Sequence, residues 1–390
     1  MKLRREVRRT ALIYAEGLHD DIFMGHLKQI RAYILDRPNQ MNYTVGMSLF
    51  AFQQQFPDEA ACLAFLEEQR WGKDSVNRCC PHCGSLKTYK FADGILYKCG
   101  DCRKKFTVKV GTMFSDSHVP LQKWFYAIYL NTSLKKGISS IQLAKYLGIT
   151  QKTAWFMLQR IRYSVEKAGR IDLLGNIVEA DETYVGGKKH DGMRGRGASG
   201  KTPVVGIAER KGEIRLAVTE DTTAKTLDKV ITDNVKPGST VMTDEYRPYS
   251  HVKQLGYEHK RVNHSDKNFV IGESHTNTIE GAWSHFKLCI RAIYIGVSPK
   301  HLQKYCAEYE YRYNTRELRD DERFDNWFGY INVKNLRYKD LIGIGRPALT
   351  PAYAAAPVVS APVVSQQEAP KVRDRLKKFR KPAARPGDEQ

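Results

Sequence analysis

The sequence predicts an α/β fold, a mixed sheet flanked by helices, preceded by a small cysteine ribbon and a helix-turn-helix. Three observations carry this. Strand-like runs alternate with helical periodicities across residues 172–330. Two C-x-x-C pairs stand fifteen residues apart within residues 56–110. Two amphipathic helices meet at a glycine within residues 120–165. The 63 Lys and Arg against 43 Asp and Glu give the 390-residue chain a formal charge of +20. That excess favours a polyanionic partner, most simply nucleic acid. The start, Met1-Lys2-Leu3-Arg4-Arg5, is not followed by a clean apolar core, so no secretory signal is expected. No run of about eighteen apolar residues predicts a membrane span.

Residues 1–45 form an atypical N-terminal extension. Thr10–Gly17 reads as a strand ending in a turn, a helix-like segment follows, and Asp36-Arg37-Pro38-Asn39-Gln40 breaks it. The strand-Glu-Gly pattern faintly resembles the opening of a Toprim-type domain, most of which would be missing. The extension is either a leftover start, with Met41 or Met47 as alternatives, or an extra helix. Pro57-Asp58-Glu59 then opens a helix running to Trp71, with Ala61, Phe65 and Leu66 on one face.

Cys80, Cys83, Cys99 and Cys102 match the spacing of a four-thiolate structural zinc site. Between the knuckles, Thr88–Phe91 and Ile95–Lys98 read as a hairpin around Asp93-Gly94. Such a closed site holds Zn²⁺ for structure rather than catalysis. Cys62, Cys79, Cys289 and Cys306 show no pairing logic, which points to a reducing compartment.

A helix is expected over Leu121–Leu134. Ile138–Ile149 is amphipathic and ends at Gly148, and Thr150 caps a second helix over Gln151–Arg162. Leu143, Ala144, Leu147, Ile149, Ala154 and Leu158 form the small core between them. Gln151, Lys152, Thr153 and Trp155 are the groove-facing candidates. Trp155 has a core reading as well. Arg160 and Arg162 are read as phosphate contacts.

From residue 172 onward, Asn176–Ala180 is a strand leading into Asp181. Val204–Glu209 and Glu213–Val218 flank a hairpin turn, Arg210-Lys211-Gly212. Thr223–Val235 reads as a helix, and Ser239–Thr243 is a strand closed by Asp244. Glu280 lies in a helical stretch, His275–Lys287. Two strand-borne aspartates and a helix-borne glutamate suit a pair of Mg²⁺ (or Mn²⁺) ions for phosphodiester chemistry. Lys287 is two helical turns beyond Glu280 on one polar stripe with Asn277 and Ser284, while Ile279, Trp283 and Phe286 face inward. Glu179, Glu182 and Glu245 adjoin the aspartates; strand alternation turns adjacent residues to the opposite face, so they are read as structural.

The Asp, Asp, Glu order, the 35 residues between Asp244 and Glu280 and the Lys seven residues on resemble the DDE insertion-sequence transposases. With the zinc ribbon and helix-turn-helix, the resemblance is to their zinc-ribbon subgroup, the ISXO2-like transposases, over residues 56–330. It implies a ribonuclease H-like catalytic domain at residues 172–330 and Mg²⁺-dependent strand cleavage and strand transfer. It also implies double-stranded DNA partners, namely transposon ends with terminal inverted repeats and target DNA. It assigns Asp181, Asp244 and Glu280 to the metal-binding triad and Lys287 to a DNA contact; Asn277 is the other residue at hand for the third ligand. A homodimer or higher oligomer on DNA and a prokaryotic, cytoplasmic, nucleoid-associated setting follow from the same resemblance.

Gly186–Lys201 is Gly-rich and basic, and Lys188, Lys189, Arg194 and Arg196 are read as DNA-backbone contacts. His301–Arg316 is an aromatic-rich helix with Tyr305, Tyr309 and Tyr313 at i+4 spacing. Residues 346–390 shift to Ala, Pro and Val and then to a basic run, a composition of disorder that is either solvated or in contact with DNA phosphates.

Overall fold

Capping residues written into the sequence start the first helices. In the computed structural model, Ser48 and Asp58 accept hydrogen bonds from Ala51 N and Ala61 N at 3.1 and 2.8 Å. They open α1 (Leu49–Gln55) and α2 (Glu59–Trp71). The structure describes residues 47–75, 77–167, 172–186, 200–262, 276–333 and 335–343. The N-terminal extension, the 346–390 tail, His275, Lys188, Lys189, Arg194 and Arg196 lie outside them. The chain forms one compact unit through Tyr338 and a second from Lys339, of which only residues 339–343 are described.

The ribbon is a three-stranded antiparallel sheet, β1 (Thr88–Lys90), β2 (Leu96–Cys99) and β3 (Lys105–Thr107), in that order. Its first turn is where the sequence places it: Asp93 accepts from Ile95 N and Leu96 N at 2.9 and 3.0 Å. Three helices follow: α3 (Leu121–Ser133), α4 (Ser140–Leu147) and α5 (Gln151–Lys167). Gly148 ends α4 in the left-handed region at φ 57°, which glycine adopts without strain. Thr150 Oγ1 accepts from Thr153 N at 3.2 Å to start α5.

The second sheet has the order β6-β5-β4-β7-β8. Its strands are β4 (Ile177–Gly186), β5 (Lys201–Glu209), β6 (Ile214–Val218), β7 (Thr240–Thr243) and β8 (Glu258–Arg261). β4, β5 and β6 pair antiparallel, whereas β7 lies parallel to β4 and β8 parallel to β7. Side chains alternate between the faces. Val178, Ala180, Val205, Ile207 and Ala217 pack beneath α6 (Ala224–Asn234). Val185, Val204, Ala208, Ile214 and Leu216 pack beneath α7 (Asn277–Cys289) and α8 (Pro299–Asn314). This mixed sheet, covered by helices on both faces, fits a ribonuclease H-like α/β fold. No helix among the described residues is long and apolar enough to cross a membrane.

The N-terminal core is completed from far along the chain. Phe52, Phe56, Trp124 and Phe125 share one buried cluster with Tyr311 of α8, with Phe324 and Trp327 of α9 (Asp320–Trp327), and with Phe328 and Ile331. The Phe324 ring centroid lies 5.1 Å from Phe52, 5.7 Å from Phe56 and 5.9 Å from Phe125. Each such aromatic pair adds about 0.5–1.5 kcal/mol beyond its buried area.

That enclosure corrects part of the reading of α5. Arg160 and Arg162 are buried, not displayed to a phosphate backbone. Arg160 donates to the carbonyls of Leu336, Met113 and Ser115 at 3.0, 3.1 and 3.0 Å. Arg162 pairs with Glu308 of α8, which Arg312 also grips, and its guanidinium lies 4.0 Å from the Tyr305 ring centroid. Burial alone would raise the Glu308 carboxyl; Arg162 and Arg312 overcome it and hold it at about 2. Trp155 is half-buried, edge-on to His301 of α8 at 5.7 Å, so its ring is occupied in packing rather than aimed at a groove. A one-faced amphipathic pattern did not anticipate a second helix, α8, closing over the C-terminal half of α5.

Candidate functional site

Four sulfurs converge in the ribbon. Cys80, Cys83, Cys99 and Cys102 place their Sγ atoms within 4.8 Å of one another. The Cys80–Cys102 and Cys83–Cys99 separations are 3.7 and 3.6 Å. A tetrahedron with Zn–S bonds of about 2.3 Å has edges of about 3.8 Å, so the donor set and its spacing fit one Zn²⁺. The knuckles are formed by the backbone: Gly84 N donates to Cys80 O at 2.9 Å, and Cys99 N to Lys104 O at 3.0 Å. Arg78 lies 5.0 Å from the Tyr97 ring centroid and donates to Thr88 Oγ1 at 2.8 Å, tying the segment before Cys80 to the sheet. Cys62, Cys289 and Cys306 are buried, and Cys79 is exposed.

The acidic residues are assembled by strand register. β4 and β7 run parallel with Ile177 opposite Thr240, Val178 opposite Val241 and Glu179 opposite Met242. That register points Asp181 and Asp244 to the same end of neighbouring strands, near enough for the Asp244 charge to act on Asp181. Asp244 follows the last residue of β7, and its Oδ1 accepts from Tyr246 N at 3.0 Å, which fixes the turn. Asp181 is half-buried. Burial first, then the carboxylates of Glu182 and Asp244, push its carboxyl from 3.8 up to about 7. Such a crowded negative site is the electrostatic complement of a cation.

Helix α7 brings the third carboxylate. Trp283 Nε1 donates to Asp181 Oδ2 at 3.0 Å, which pins α7 to β4. Glu280, three residues earlier, is therefore on the neighbouring turn and exposed; its Oε1 accepts from Thr276 Oγ1 at 2.8 Å. Asn277 and Ser284 are exposed and Lys287 half-buried along the same stripe, with Ile279, Trp283 and Phe286 buried. Among the described residues the three carboxylates do not form a cluster as tight as that of the cysteines.

The neighbouring glutamates divide. Glu182 turns to the opposite face and accepts from Tyr249 Oη at 3.1 Å, in line with its structural reading. Glu179 does not turn away. It is two residues from Asp181, shares its face, and is fully buried against α7. Strand alternation places residues 179 and 181 on one face, and that parity is the sequence signal for this contact. Gln151 and Lys152 are exposed at the start of α5 and Thr153 half-buried; Gln151 Nε2 donates to Ser140 Oγ at 2.8 Å, and Lys152 Nζ stands 4.9 Å from the Tyr338 ring centroid.

Comparisons with known proteins bear on both halves. Residues 172–314 match the ISXO2-like transposase domain, and residues 57–105 the transposase zinc-ribbon domain. The chain is 30% identical over 282 residues to an uncharacterized protein in transposable element ISH50 of Halobacterium salinarum, covering 66% of this chain and 91% of that one. It is 30% identical over 109 residues to an uncharacterized transposase-like protein of Haemophilus influenzae, covering 28% of this chain and 87% of that one. Among solved structures, a simian T-cell lymphotropic virus intasome in complex with PP2A regulatory subunit B56 gamma matches at 15% identity and a TM-score of 0.25, over 61% of this chain and 78% of that one. The Mos1 transposase paired-end complex with left transposon end matches at 13% identity and a TM-score of 0.17, over 51% and 75%. Scores this low add nothing to the topology, which rests on the sheet order itself.

Proposed function

The chain belongs to the ISXO2-like zinc-ribbon transposases of insertion sequences, and from that premise we propose that it binds the terminal inverted repeats of its element and carries out Mg²⁺-dependent strand cleavage and strand transfer with Asp181, Asp244 and Glu280. The observation that carries this reading is the parallel pairing of β4 with β7, which brings Asp244 near enough to raise the Asp181 carboxyl, with α7 anchored to Asp181 through Trp283.

The donor set is one of hard oxygens, suited to Mg²⁺ or Mn²⁺, and the raised Asp181 carboxyl marks negative charge that a divalent ion offsets. When bound, the ions supply activation of the attacking water or 3′-hydroxyl and stabilisation of the departing oxygen. On this reading the protein supplies the ligands: Asp181 from β4, Asp244 from the end of β7 and Glu280 from α7, with Lys287 two turns on assigned to a DNA phosphate. Glu280 is preferred over Asn277 as third ligand because it carries charge. No covalent enzyme intermediate is required.

DNA engagement is assigned to Gln151, Lys152 and Thr153 at the start of α5, within a helix-turn-helix formed by α4 and α5, and to the ribbon. Lys188, Lys189, Arg194 and Arg196 keep their assignment as backbone contacts from the sequence alone. Handling two ends together calls for a dimer or higher assembly on DNA. A strand-transfer assay on the DNA ends flanking the gene, comparing wild type with Asp181→Ala, tests the reading. Joined products from wild type alone support it; cleavage without joining makes the chain a nuclease, and binding without cleavage makes it a regulator.

A further inference from the structure

Helix α7 carries Glu280 and Lys287, yet its own N-cap residue does not cap it. Thr276 makes no capping bond to the helix backbone, and its hydroxyl is directed at Glu280. The cap comes from the central strand. Glu179 Oε2 accepts from Thr278 N at 2.8 Å and Ile279 N at 3.0 Å. Its Oε1 accepts from Thr278 Oγ1 at 2.9 Å and from Arg210 Nε at 2.8 Å. Glu179 has no exposed surface. A carboxylate buried that completely is tolerated only with such partners, and the unpaired N–H groups of a helix start favour an anion.

A second anchor lies further along the helix. Gly206 is the β5 partner of Asp181. A Cβ there would stand 2.5 Å from Trp283 Cζ2 and 2.8 Å from Ile279 Cδ1, so the missing side chain is what lets the indole lie on the strand and reach Asp181. Glu280 sits between the two anchors, after Thr278 and Ile279 and before Trp283.

We propose that Glu179, clamped by Arg210, is a positioning residue: with Trp283 seated over Gly206 it fixes α7 on β4 and so sets where Glu280 stands relative to Asp181, without itself serving as a metal ligand. The proposal rests on the triad reading above. It also explains why a fourth acidic side chain lies beside the three: its oxygens face the helix and Arg210.

The test uses the full zinc-loaded chain and two readouts. The first is the Mg²⁺ concentration that half-shifts the ¹⁵N-indole resonance of Trp283, assigned by its loss in Trp283→Phe. The second is cleavage of element-end DNA against Mg²⁺. Glu179→Gln, which sets an amide N–H against N–H donors, is expected to raise the half-shift concentration by about 10- to 100-fold, with cleavage recovering at saturating Mg²⁺. Glu179→Asp is expected to fall between it and wild type. Thr278→Val, which removes one of the donors to Glu179, should move the midpoint the same way by a smaller factor and provides a milder variant should Glu179→Gln fail to fold. Glu280→Gln should not be restored by Mg²⁺. An unchanged midpoint in both Glu179→Gln and Thr278→Val overturns the proposal. So does a loss in Glu179→Gln that saturating Mg²⁺ fails to restore, because it would make Glu179 a ligand. A wild-type Trp283 resonance indifferent to Mg²⁺ overturns it together with the metal assignment. A resonance that responds in a wild type that cuts no element ends sinks the functional reading alone, and the midpoints still decide the role of Glu179.

Discussion

In the ribbon, four sulfurs from two short turns lie within 4.8 Å of one another; in the larger sheet, Asp181, Asp244 and Glu280 come from two strands and a helix and draw together less tightly. The ribbon ligands are local in sequence and held by their own backbone turns. The carboxylates are held by long-range register and by one indole N–H. On the triad reading proposed above, the difference is that between a closed site, in which every ligand position is supplied by protein, and an open one that leaves room for substrate oxygens and water. A closed thiolate site contributes to folding, whereas an open acidic site stores repulsion that only its ligands relieve.

Changes on the two sides should therefore act in opposite senses. The largest effect is expected for Cys99→Ser: zinc is lost and residues 80–107 lose amide protection, while the five-stranded sheet keeps its own. A normal zinc content in that variant, measured by elemental analysis, would remove the ribbon site. Asp244→Ala should cost several kcal/mol of transition-state stabilisation, or about 10³-fold in cleavage, with element-end binding nearly unchanged; lost binding would undo its assigned role. Arg162→Ala tests a third situation, a buried charge that is paired: it leaves Glu308 to Arg312 and Tyr294 and vacates buried volume, and should destabilise by about 2–5 kcal/mol in denaturant unfolding, whereas exposed Lys152→Ala should leave stability alone and reduce the salt slope of DNA binding by about 1.

The smallest expected effect is a pH slope. The folded-state carboxyl of Asp181 titrates near 7 against an ordinary 3.8. Between those values the folded chain holds a proton that the unfolded chain has released. The contribution of Asp181 to stability is therefore fully present below about 3.8 and is lost as pH rises through about 7. With Zn²⁺ present and Mg²⁺ omitted, Asp181→Asn should be more stable than wild type at pH 8 and inactive in cleavage. Equal urea midpoints for the two at pH 8 would show that the site stores no such repulsion.

What the sequence made legible follows the same division. The cysteine spacing, the Asp93 turn, the Gly148 terminus and the strands leading to Asp181 and Asp244 are local patterns, and the structure has elements at each. Strand β3 was not read, because Lys105-Phe106-Thr107 is too short to show alternation. Arg160 and Arg162 look like surface cations in the sequence because their partners are distant: Leu336 O is 176 residues from Arg160, and Glu308 of α8 is 146 from Arg162. The cap that Glu179 places on α7 spans 99 and 100 residues to Thr278 and Ile279. Only the parity of residues 179 and 181 hinted at it.

The return of Phe324, Trp327, Phe328 and Ile331 to the N-terminal core sets a timetable for synthesis. A ribosome releases the ribbon and helices α1–α5 first, and the apolar plug that seals them emerges only after the whole five-stranded sheet. The ribbon and its helices thus wait through most of synthesis for their seal. A nascent or truncated product ending near residue 167 should expose an apolar surface and be prone to aggregate rather than persist as a free-standing fragment.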